Sequence, residues 1–585
     1  MSATPTADSP SPWCVLGRIG GGKVGLVDVD GDGKRSATVE LDVAELPEHV
    51  AAREADSAPR WVWSDTATWY PQLLEAAVRI ERCHDLRLVH AILRTSTAVQ
   101  DREELRAATA WDVTPEHLAE EPEPETTLFS LDGTTGGAGS VPHELDAALA
   151  EHDRQQSAIR DAAGHGRMRL LVAAESAGAL VAAELHAAGI PWDVAEHDRI
   201  LVAALGPRPA TGQAPAVMAE TGAEVRDALG DRMLSLDSPP RLLRALRRAG
   251  IDVSSTSRWE LERHEHPAIE PLLRYKKLSR LLTANGWTWL DDWVHDGRYR
   301  PVYLPAGVVT GRWASSGGGA LQIPRQLRPA LRADPGWALV SADVSQLEPR
   351  VLAAMAGDRA MAAAGAGTDL YAGIVETGVV ATRQEAKIAV LGALYGSTTG
   401  DSGRLVPRLR LTFPQAMALV DHAAQTGEMG GTVSTWLGRS SPEPSAAWTA
   451  AQTSAHQVEA SPRDQEQAAR SARTRGRFTR NFVVQGTAAE WALAWMADLR
   501  LRLARLDPVP EGAPTARASG PGFDRRAHLA FFLHDEVIVH APADRAEAAA
   551  EAIRAAAVAA GQLLFPGSPV DFPLDLQISE RATKD

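Results

Sequence analysis

The stretch "LAFFLHDEVIVHAP", residues 529–542, places three polar residues between two apolar runs. This pattern predicts a hairpin of two mostly buried strands with the polar residues at its bend. Two of the three, Asp535 and Glu536, are neighbouring acids. A carboxylate on a hydrophobic hairpin is unfavourable unless its charge is compensated, and a bound cation or a solvated turn would each compensate it.

The stretch "WALVSADVSQLEPRVLA", residues 337–353, contains another acid within an apolar run. It predicts a strand that ends near Asp343 and a helix that begins around Gln346. A lone Asp at such a junction is usually a helix cap. Paired with Asp535 of the hairpin, Asp343 instead suits a divalent-metal site for phosphoryl transfer, because the metal neutralises both carboxylates.

The stretch "RQEAKIAVLGALYG", residues 383–396, repeats at an interval of four, at Arg383, Lys387, Leu391 and Tyr395. On a helix these residues lie along one slowly spiralling face. The cationic end suits a triphosphate, and Tyr395 at the other end suits stacking on a base. A core-facing helix whose two cations reach solvent is the alternative.

The composition limits the class of protein. With 585 residues the chain is too long for one hydrophobic core, so several domains are expected. Cys14 and Cys83 are the only cysteines, which excludes a disulfide scaffold and a four-cysteine zinc site and fits a reducing compartment. Without a signal-like N-terminus or an apolar run of membrane-spanning length, the sequence predicts a cytoplasmic protein with no membrane partner.

The formal net charge of -15 argues against a uniformly basic surface for nucleic acid. The basic residues are unevenly distributed, however, with clusters in "RSARTRGRFTR" (470–480) and "RYKKLSR" (274–280). Such clusters favour either a cationic groove on an acidic protein or solvated helix faces.

Together these stretches resemble the motifs of the family A DNA polymerases, the bacterial DNA polymerase I family. "DVSQLEPR" (343–350) is similar to D-Y-S-Q-I-E-L-R of motif A, and "LHDE" (533–536) is similar to V-H-D-E of motif C. The 383–396 stretch matches R-x-x-x-K-x-x-x-F-x-x-x-Y-G of motif B except at Leu391. Three further segments resemble family sequences in the expected order: "TGRWASS" (310–316), "LQIP" (321–324) and "RFTRNFVVQGTAAE" (477–490).

The resemblance covers residues 216–585 and implies an α/β multidomain fold. This fold would be a right-hand polymerase with thumb, palm and fingers, preceded by an N-terminal α/β exonuclease-like domain. The layout resembles actinobacterial-type bifunctional 3′–5′ exonuclease/polymerases with a degenerate exonuclease-like region. The implied divisions are an exonuclease-like domain at 1–205 with a linker at about 120–142, a thumb at 206–300, a first palm part at 301–357, fingers at 358–476 and a second palm part at 477–585.

The resemblance also implies a catalytic role for individual residues. Asp343 and Asp535 would bind two Mg²⁺ ions, with Mn²⁺ as an alternative, and Glu536 would support them. Arg383 and Lys387 would bind the triphosphate of the incoming dNTP, with Lys387 as the proton donor to pyrophosphate.

Other residues would shape the nucleotide site and hold primer-template DNA. Glu348 would lie beneath the sugar, where it excludes a 2′-hydroxyl, and Tyr395 would stack near the templating base. His534 would contact the primer end. The remaining implied DNA contacts are Arg312, Arg477, Asn481 and Gln485 along the duplex and Lys276 and Lys277 in the thumb. We expect a monomer that acts in the cytoplasm at the nucleoid.

The chain departs from the family pattern in its nucleotide pocket. Val344 replaces the usual Tyr, Leu391 replaces an aromatic residue near the sugar, and Phe532 replaces a common Gln. Pro349 follows Glu348 where Leu is usual, and Pro is tolerated only near a helix start. We therefore expect activity that is slow or altered in its choice of sugar.

The N-terminal region has no D-x-E pair at the end of an early strand, which is where proofreading chemistry requires one. Residues 60–93 have a strand-helix-strand-helix pattern similar to a 3′–5′ exonuclease domain, with scattered acids such as Asp65 and Asp85. We expect a structural domain without proofreading activity. For the whole chain, the alternatives to a DNA polymerase are a catalytically impaired DNA-binding relative and a single-subunit RNA polymerase, and Glu348 and Glu536 favour DNA.

Overall fold

The computed structural model describes residues 13–112, 140–210, 212–316, 319, 323–367, 369–396, 400–457 and 460–582. Most of the predicted linker at 120–142 and the start of "LQIP" at 321–322 lie outside the described residues. The chain divides into two compact units. The first comprises Met1–Gly189, Pro301–Gly317 and Asp334–Ser579, and the second comprises Ile190–Arg300, Gly318–Ala333 and Glu580–Asp585.

The strands are short and separated by helices. In chain order they are β1 Trp13–Gly20, β2 Lys23–Val29, β3 Val39–Asp42, β4 Arg60–Trp63, β5 Arg82–Asp85, β6 Ile190–Pro191, β7 Val294–His295, β8 Arg298–Tyr299, β9 Val302–Leu304, β10 Ala314–Ser316, β11 Trp337–Val344, β12 His528–Leu533, β13 Glu536–Pro542 and β14 Leu574–Ser579.

Helices dominate both units. The α-helices are α1 Leu46–Asp56, α2 Thr66–Glu75, α3 Leu86–Leu93, α4 Glu103–Ala107, α5 Leu145–Asp161, α6 His165–Ala188, α7 Val194–Leu205, α8 Ala216–Ala228, α9 Pro239–Arg248, α10 Arg258–Leu261, α11 Ile269–Asn285, α12 Trp287–Trp293, α13 Leu347–Ala356, α14 Arg359–Ala364, α15 Leu370–Glu376, α16 Arg383–Tyr395, α17 Gly400–Thr412, α18 Pro414–Glu428, α19 Ala446–Ala455, α20 Pro462–Ala504 and α21 Ala546–Leu564. Short 3₁₀ helices occupy Val43–Glu45, Thr109–Trp111, Arg325–Ala330, Arg517–Ser519 and Ala543–Arg545.

A four-stranded sheet of order β12-β13-β11-β14 carries the predicted acids of the first unit. All its neighbouring strands run antiparallel. The predicted hairpin at 529–542 is confirmed as β12 and β13, and the predicted strand and helix at 337–353 are confirmed as β11 and α13. Helix α21 packs against this sheet, and the 43-residue helix α20 packs against α21, α18 and α6.

Helix α13 accommodates the unusual proline at its start. Its first residue is Leu347 and its N-cap is Gln346, so Pro349 lies in the first turn. The amide groups of a first helical turn have no intrahelical acceptor, and the missing N–H of proline is therefore harmless there. Glu348 keeps its place on the helix directly after the strand that carries Asp343.

The N-terminal part of the first unit contains a five-stranded sheet of order β3-β2-β1-β4-β5. Strands β1, β2 and β3 pair antiparallel, whereas β4 and β5 run parallel to β1. The predicted pattern at 60–93 is confirmed as β4, α2, β5 and α3. Large side chains bury this sheet, with Trp61, Trp63 and Tyr70 fully enclosed.

Helix α6 joins the N-terminal sheet to α20 through buried charges. Glu184 of α6 accepts hydrogen bonds from Arg500 of α20 at 2.7 and 2.9 Å and from Tyr70 at 2.7 Å. Arg79 completes the cluster at 2.7 Å. Although burial alone would raise the pKa of Glu184, Arg500 and Arg79 lower it to about 2. This buried cluster therefore connects the N-terminal part of the first unit with α20 of the same unit.

Among the described residues, α6 is also the helix long and apolar enough to cross a membrane. Its most apolar window is 67% buried inside the protein, as expected for a core helix.

The second unit is helical, with a three-stranded sheet of order β6-β8-β7. Its apolar core draws on α7, α8, α9 and α11. The predicted thumb at 206–300 lies inside this unit, which begins earlier, at Ile190, and also contains residues 318–333.

Candidate active site

The structure brings together the two acids that the sequence predicts as a pair. Asp343 lies near the end of β11, and Asp535 lies in the turn between β12 and β13. The backbone N–H of Val344 donates to the carbonyl of Asp535 at 2.9 Å, which ties the turn to the strand end. His534 in this turn has a φ of 56°, a left-handed conformation that is uncommon for a residue other than glycine.

Asp535 lies in an environment that disfavours its charge. Burial and the neighbouring charge of Asp343 raise the pKa of Asp535 to about 7, although Arg312 opposes this rise. Two repelling carboxylates on separate elements are a donor set that suits a hard divalent cation, because the cation removes their repulsion. The pair therefore fits a metal site, and its residues are the ones predicted.

Glu536 occupies a different position from its neighbour. It is the first residue of β13, is 3% exposed, and lies opposite Asp343 in the register of β11 and β13. Directly opposed residues of antiparallel strands project from the same face, so Glu536 lies beside Asp343 within the sheet. On the other side of β11, Asp575 of β14 is likewise opposite Asp343.

A cavity of about 230 Å³ adjoins Asp535. It includes six of the predicted site residues, namely Arg312, Glu348, Leu391, Tyr395, His534 and Asp535. Its other lining residues are Gly311, Trp313, Gln346, Leu347, Pro349, Tyr371, Ala488, Ala489, Ala492, Leu493, Met496 and Phe532. Burial and the charge of Arg312 lower the pKa of His534 to about 4, so its ring is neutral at pH 7.

Glu348 is held from two sides in this cavity. Arg312 donates from Nη2 to Oε1 of Glu348 in a salt bridge, and the Tyr395 hydroxyl donates to Oε2 at 2.9 Å. Burial and the charge of Glu348 raise the pKa of Tyr395 well above its usual value. The predicted base-stacking residue is thus engaged by the predicted sugar-sensing residue, a contact that repeat spacing alone does not reveal.

The end of α16 that carries Arg383 and Lys387 is more accessible to solvent than Glu348 in the cavity. Arg383 donates from Nε to Asp369 at 2.6 Å, and its guanidinium carbon lies 5.6 Å from the centre of the Tyr371 ring. Lys387 is exposed one turn further along the helix. Burial and the charge of Glu348 raise the pKa of Tyr371 to about 12. Tyr371 lines the cavity and had no motif that would have identified it.

Helix α20 presents the predicted DNA contacts at intervals of four residues. Arg477 is exposed, and its guanidinium donates to Thr474 at 3.0 Å. Asn481 and Gln485 are half-buried, and Oδ1 of Asn481 has no hydrogen-bond partner among the residues that the structure describes. An unpaired acceptor on this face is suited to a donor from a ligand.

Lys276 and Lys277 of the second unit differ in how accessible their ammonium groups are. The Lys276 ammonium bonds to the carbonyl and the hydroxyl of Thr256, and burial lowers its pKa. Lys277 is exposed. Of this pair, Lys277 is the residue available to a phosphate.

An aromatic group closes one side of the cavity. The rings of Trp313 and Phe532 meet edge to face at 5.0 Å, and Tyr303 lies 5.5 Å from Trp313. The Tyr303 hydroxyl donates to the carbonyl of Phe532 at 3.1 Å. A bulge in β12 before Phe531 shifts the register ahead of this contact. Phe532, which replaces the common Gln, is therefore packed against Trp313 and Tyr303.

The N-terminal acids Asp65 and Asp85 have structural partners. Asp65 caps α2 by accepting from Ala67 N at 2.7 Å, and it pairs with Arg87 at 3.0 Å. Asp85 caps α3 by accepting from Leu88 N at 3.0 Å, and it also accepts from Thr66 N at 2.7 Å. Both acids are fully buried.

Comparison with known proteins gives the same assignment as the motifs. The family described as DNA polymerase family A matches residues 216–580. DNA polymerase I of Chloroflexus aurantiacus is 29% identical over 365 residues, which are 57% of this chain and 34% of the relative. The thermostable DNA polymerase I of Thermus aquaticus is 27% identical, over 55% of this chain and 37% of the relative. The chain thus spans about a third of the length of these curated relatives.

A solved structure supports the fold over almost the whole chain. It is described as the POL domain of Pol1 from M. smegmatis in complex with DNA primer-template and dNTP. It has a TM-score of 0.65 and 17% sequence identity, and covers 96% of this chain and 92% of the other. Because the family match extends over more than half of its residues, the chain belongs to DNA polymerase family A.

Proposed function

We propose that the protein is a template-directed DNA polymerase that adds deoxynucleotides to a primer 3′ end. The observation that carries this proposal is the convergence of Asp343 and Asp535 beside a cavity lined by Arg312, Glu348 and Tyr395. The relatives are DNA polymerases by name, and the neighbour in fold is described with primer-template DNA and dNTP. These are the partners that we propose for this chain.

Asp343 and Asp535 would hold two Mg²⁺ ions, and Mn²⁺ would serve in their place. Divalent cations at this position supply a lower pKa for the primer 3′-hydroxyl and neutralise charge on the transferring phosphoryl group. The protein supplies the positions of the carboxylates, which β11 and the β12–β13 turn hold through the Val344–Asp535 hydrogen bond. Glu536 would support Asp343 from the adjacent strand.

The nucleotide would lie between α16 and α13. Arg383 and Lys387 would attract its triphosphate, and Lys387 would donate a proton to the pyrophosphate that leaves. Glu348, held by Arg312 and Tyr395, would lie beneath the sugar and exclude a 2′-hydroxyl. Leu391 lines the same cavity and would leave more room than an aromatic residue.

Primer-template DNA would lie along α20. Arg477, Asn481 and Gln485 would face the duplex, and His534 would contact the primer end as a neutral donor or acceptor. Lys277 would bind phosphate without reading sequence. We further propose that residues 13–189 are an exonuclease-like domain without proofreading, and that the protein acts as a monomer in the cytoplasm at the nucleoid.

Primer extension tests the proposal. We expect extension with dNTP and a loss of about a thousandfold or more in Asp535→Asn, because charge stabilisation by a metal is worth several kcal/mol. DNA binding by the variant, measured by fluorescence anisotropy, should be retained. Asp544→Asn, in an exposed acid after β13, is the matched control and should extend normally.

Each alternative gives a distinct result. Absence of extension by the wild type, with DNA binding intact, would establish the impaired DNA-binding relative. Extension with rNTP in preference to dNTP would establish an RNA polymerase. Synthesis retained by Asp535→Asn would refute the metal assignment.

A further inference from the structure

A buried ion pair lies directly behind the candidate active site. Glu175 of α6 is fully buried, and its Oε2 accepts a hydrogen bond from Nη2 of Arg439. The Arg439 side chain is 10% exposed. Neither residue belongs to the polymerase motifs recognised in the sequence. A fully buried pair of this kind is held in one arrangement, because separating the charges leaves each without solvent.

The backbone around Arg439 is fixed onto α20. Thr435 and Arg439 exchange hydrogen bonds, with Thr435 N donating to the Arg439 carbonyl at 2.9 Å and Arg439 N donating to the Thr435 hydroxyl at 3.0 Å. Glu490 of α20 accepts from the same hydroxyl and from Leu437 N at 3.0 Å. Arg439 is therefore held at its backbone by this turn and at its guanidinium by Glu175.

Arg439 presses against the turn that precedes Arg312. Gly311 has a φ of +86°, and a Cβ built on it would lie 2.7 Å from Nε and 3.0 Å from Cζ of Arg439. The turn closes through Gly311 N to the Val308 carbonyl at 2.8 Å and Val308 N to the Arg312 carbonyl at 3.1 Å. The planar guanidinium thus packs against a glycine backbone at a distance that no side chain at 311 would permit.

Helix α6 supports the next residue as well. Gly178, one turn after Glu175, faces Trp313 and Leu493, and a Cβ there would lie 2.6 Å from Leu493 Cδ2 and 3.5 Å from Trp313 Cζ2. Trp313 and Leu493 both line the cavity. One face of α6 therefore packs behind residues 311–313, and Arg312 on this turn bridges to Glu348.

We propose that Arg439, held by Glu175, is a positioning residue for sugar selection. It fixes the turn at 308–312 so that Arg312 holds Glu348 in place in the nucleotide pocket. Arg439 contacts no substrate in this role. The inference rests on the proposed function, in which Glu348 senses the sugar.

The test measures kcat and KM for dNTP and rNTP in Glu175→Gln and Arg439→Lys. Lysine keeps the charge but lacks the planar group that packs against Gly311. We expect the ratio of kcat/KM for dNTP to kcat/KM for rNTP to fall roughly tenfold. A change of this size corresponds to weakening one charge-assisted hydrogen bond. Most of that fall should come from a higher kcat/KM for rNTP, because a displaced Glu348 no longer excludes the 2′-hydroxyl.

The matched control is Glu184→Gln, which disrupts another buried acid on α6 that pairs with α20. Its partners are Arg500, Arg79 and Tyr70, and none of them lines the cavity. We expect a lower melting temperature in this control with an unchanged ratio. An unchanged ratio in folded Arg439→Lys and Glu175→Gln, or an equal fall in the control, would overturn the positioning role alone. Absence of extension by the wild type would overturn the proposed function and this role with it.

Discussion

At the residue scale, the raised pKa of Asp535 bears most directly on the proposed metal site. Burial and the charge of Asp343 raise this pKa to about 7, so without a cation the group holds its proton to a higher pH than an ordinary carboxyl does. A divalent cation binds the ionised carboxylate and must displace this proton. In the proposed metal site, affinity would therefore be coupled to pH through this side chain.

We expect Mn²⁺ binding to release a proton from Asp535 near pH 6.5. Below pH 7 the affinity should fall by up to about tenfold per pH unit, as the carboxyl becomes protonated. Calorimetry in two buffers of different ionisation enthalpy measures the released proton. In Asp343→Asn the repulsion is removed, so the release should move to lower pH. Proton release that is the same in Asp535→Asn as in the wild type would contradict the assignment.

The sequence predicts the residues of this site better than it predicts their contacts. Asp343 and Asp535 could be paired because apolar strands place both acids at strand ends. The Tyr395–Glu348 hydrogen bond and the Trp313–Phe532 contact could not be predicted, since each depends on how distant elements pack. The inward orientation of Lys276 likewise depends on Thr256 in a preceding loop.

At the element scale, α20 contains an acid whose protonation affects stability. Glu490 is 1% exposed, and burial raises its pKa to about 7 from a usual value near 4.5. Between these two values the folded protein holds a proton that the unfolded chain does not. The stabilisation is therefore complete below about pH 4.5 and is lost as the pH rises through 7.

Glu490→Gln should remove this pH dependence, because glutamine resembles the protonated acid and does not titrate. Relative to this variant, the wild type should lose up to about 3 kcal/mol of unfolding free energy between pH 5 and pH 8. Urea unfolding midpoints of both proteins across this range give the measurement. Parallel curves for the two proteins would show that Glu490 is ionised throughout.

Secondary structure was readable from the sequence where apolar periodicity is strong. The hairpin at 529–542, the strand at 337–344 and helix α16 are such elements. The compact units divide after Gly189 and not after the predicted residue 205, because Leu201 and Leu205 of α7 pack into the apolar core of the second unit. Local sequence likewise does not encode the buried ion pair that ties α6 to α20. A helix with an apolar sequence gives no sign of which distant arginine its acids will meet.

At the scale of the whole molecule, the N-terminal sheet belongs to the same compact unit as the strands that carry Asp343 and Glu536. Its acids Asp65 and Asp85 cap helices α2 and α3, and Asp65 also pairs with Arg87. A nuclease site, in contrast, needs accessible carboxylates that can bind a metal ion. The Glu184 cluster and the contacts of Gly178 connect the same region to α20 and the cavity. This region therefore packs against α20 and against residues that line the cavity.

We expect the wild type to leave a mismatched primer 3′ end intact without dNTP, and Asp65→Ala and Asp85→Ala to lower the melting temperature. Each loses a cap worth about 1 kcal/mol, and Asp65→Ala also leaves Arg87 without its partner, a further loss of about 3 kcal/mol or more. Gel analysis of the primer and thermal unfolding are measured on the same preparations. An exposed acid at the end of α2, Glu75→Ala, serves as the control and should melt as the wild type does. Shortening of the primer by the wild type that disappears in Asp65→Ala or Asp85→Ala, with melting temperatures unchanged, would instead make these acids catalytic, because a helix cap cannot be removed without a loss of stability.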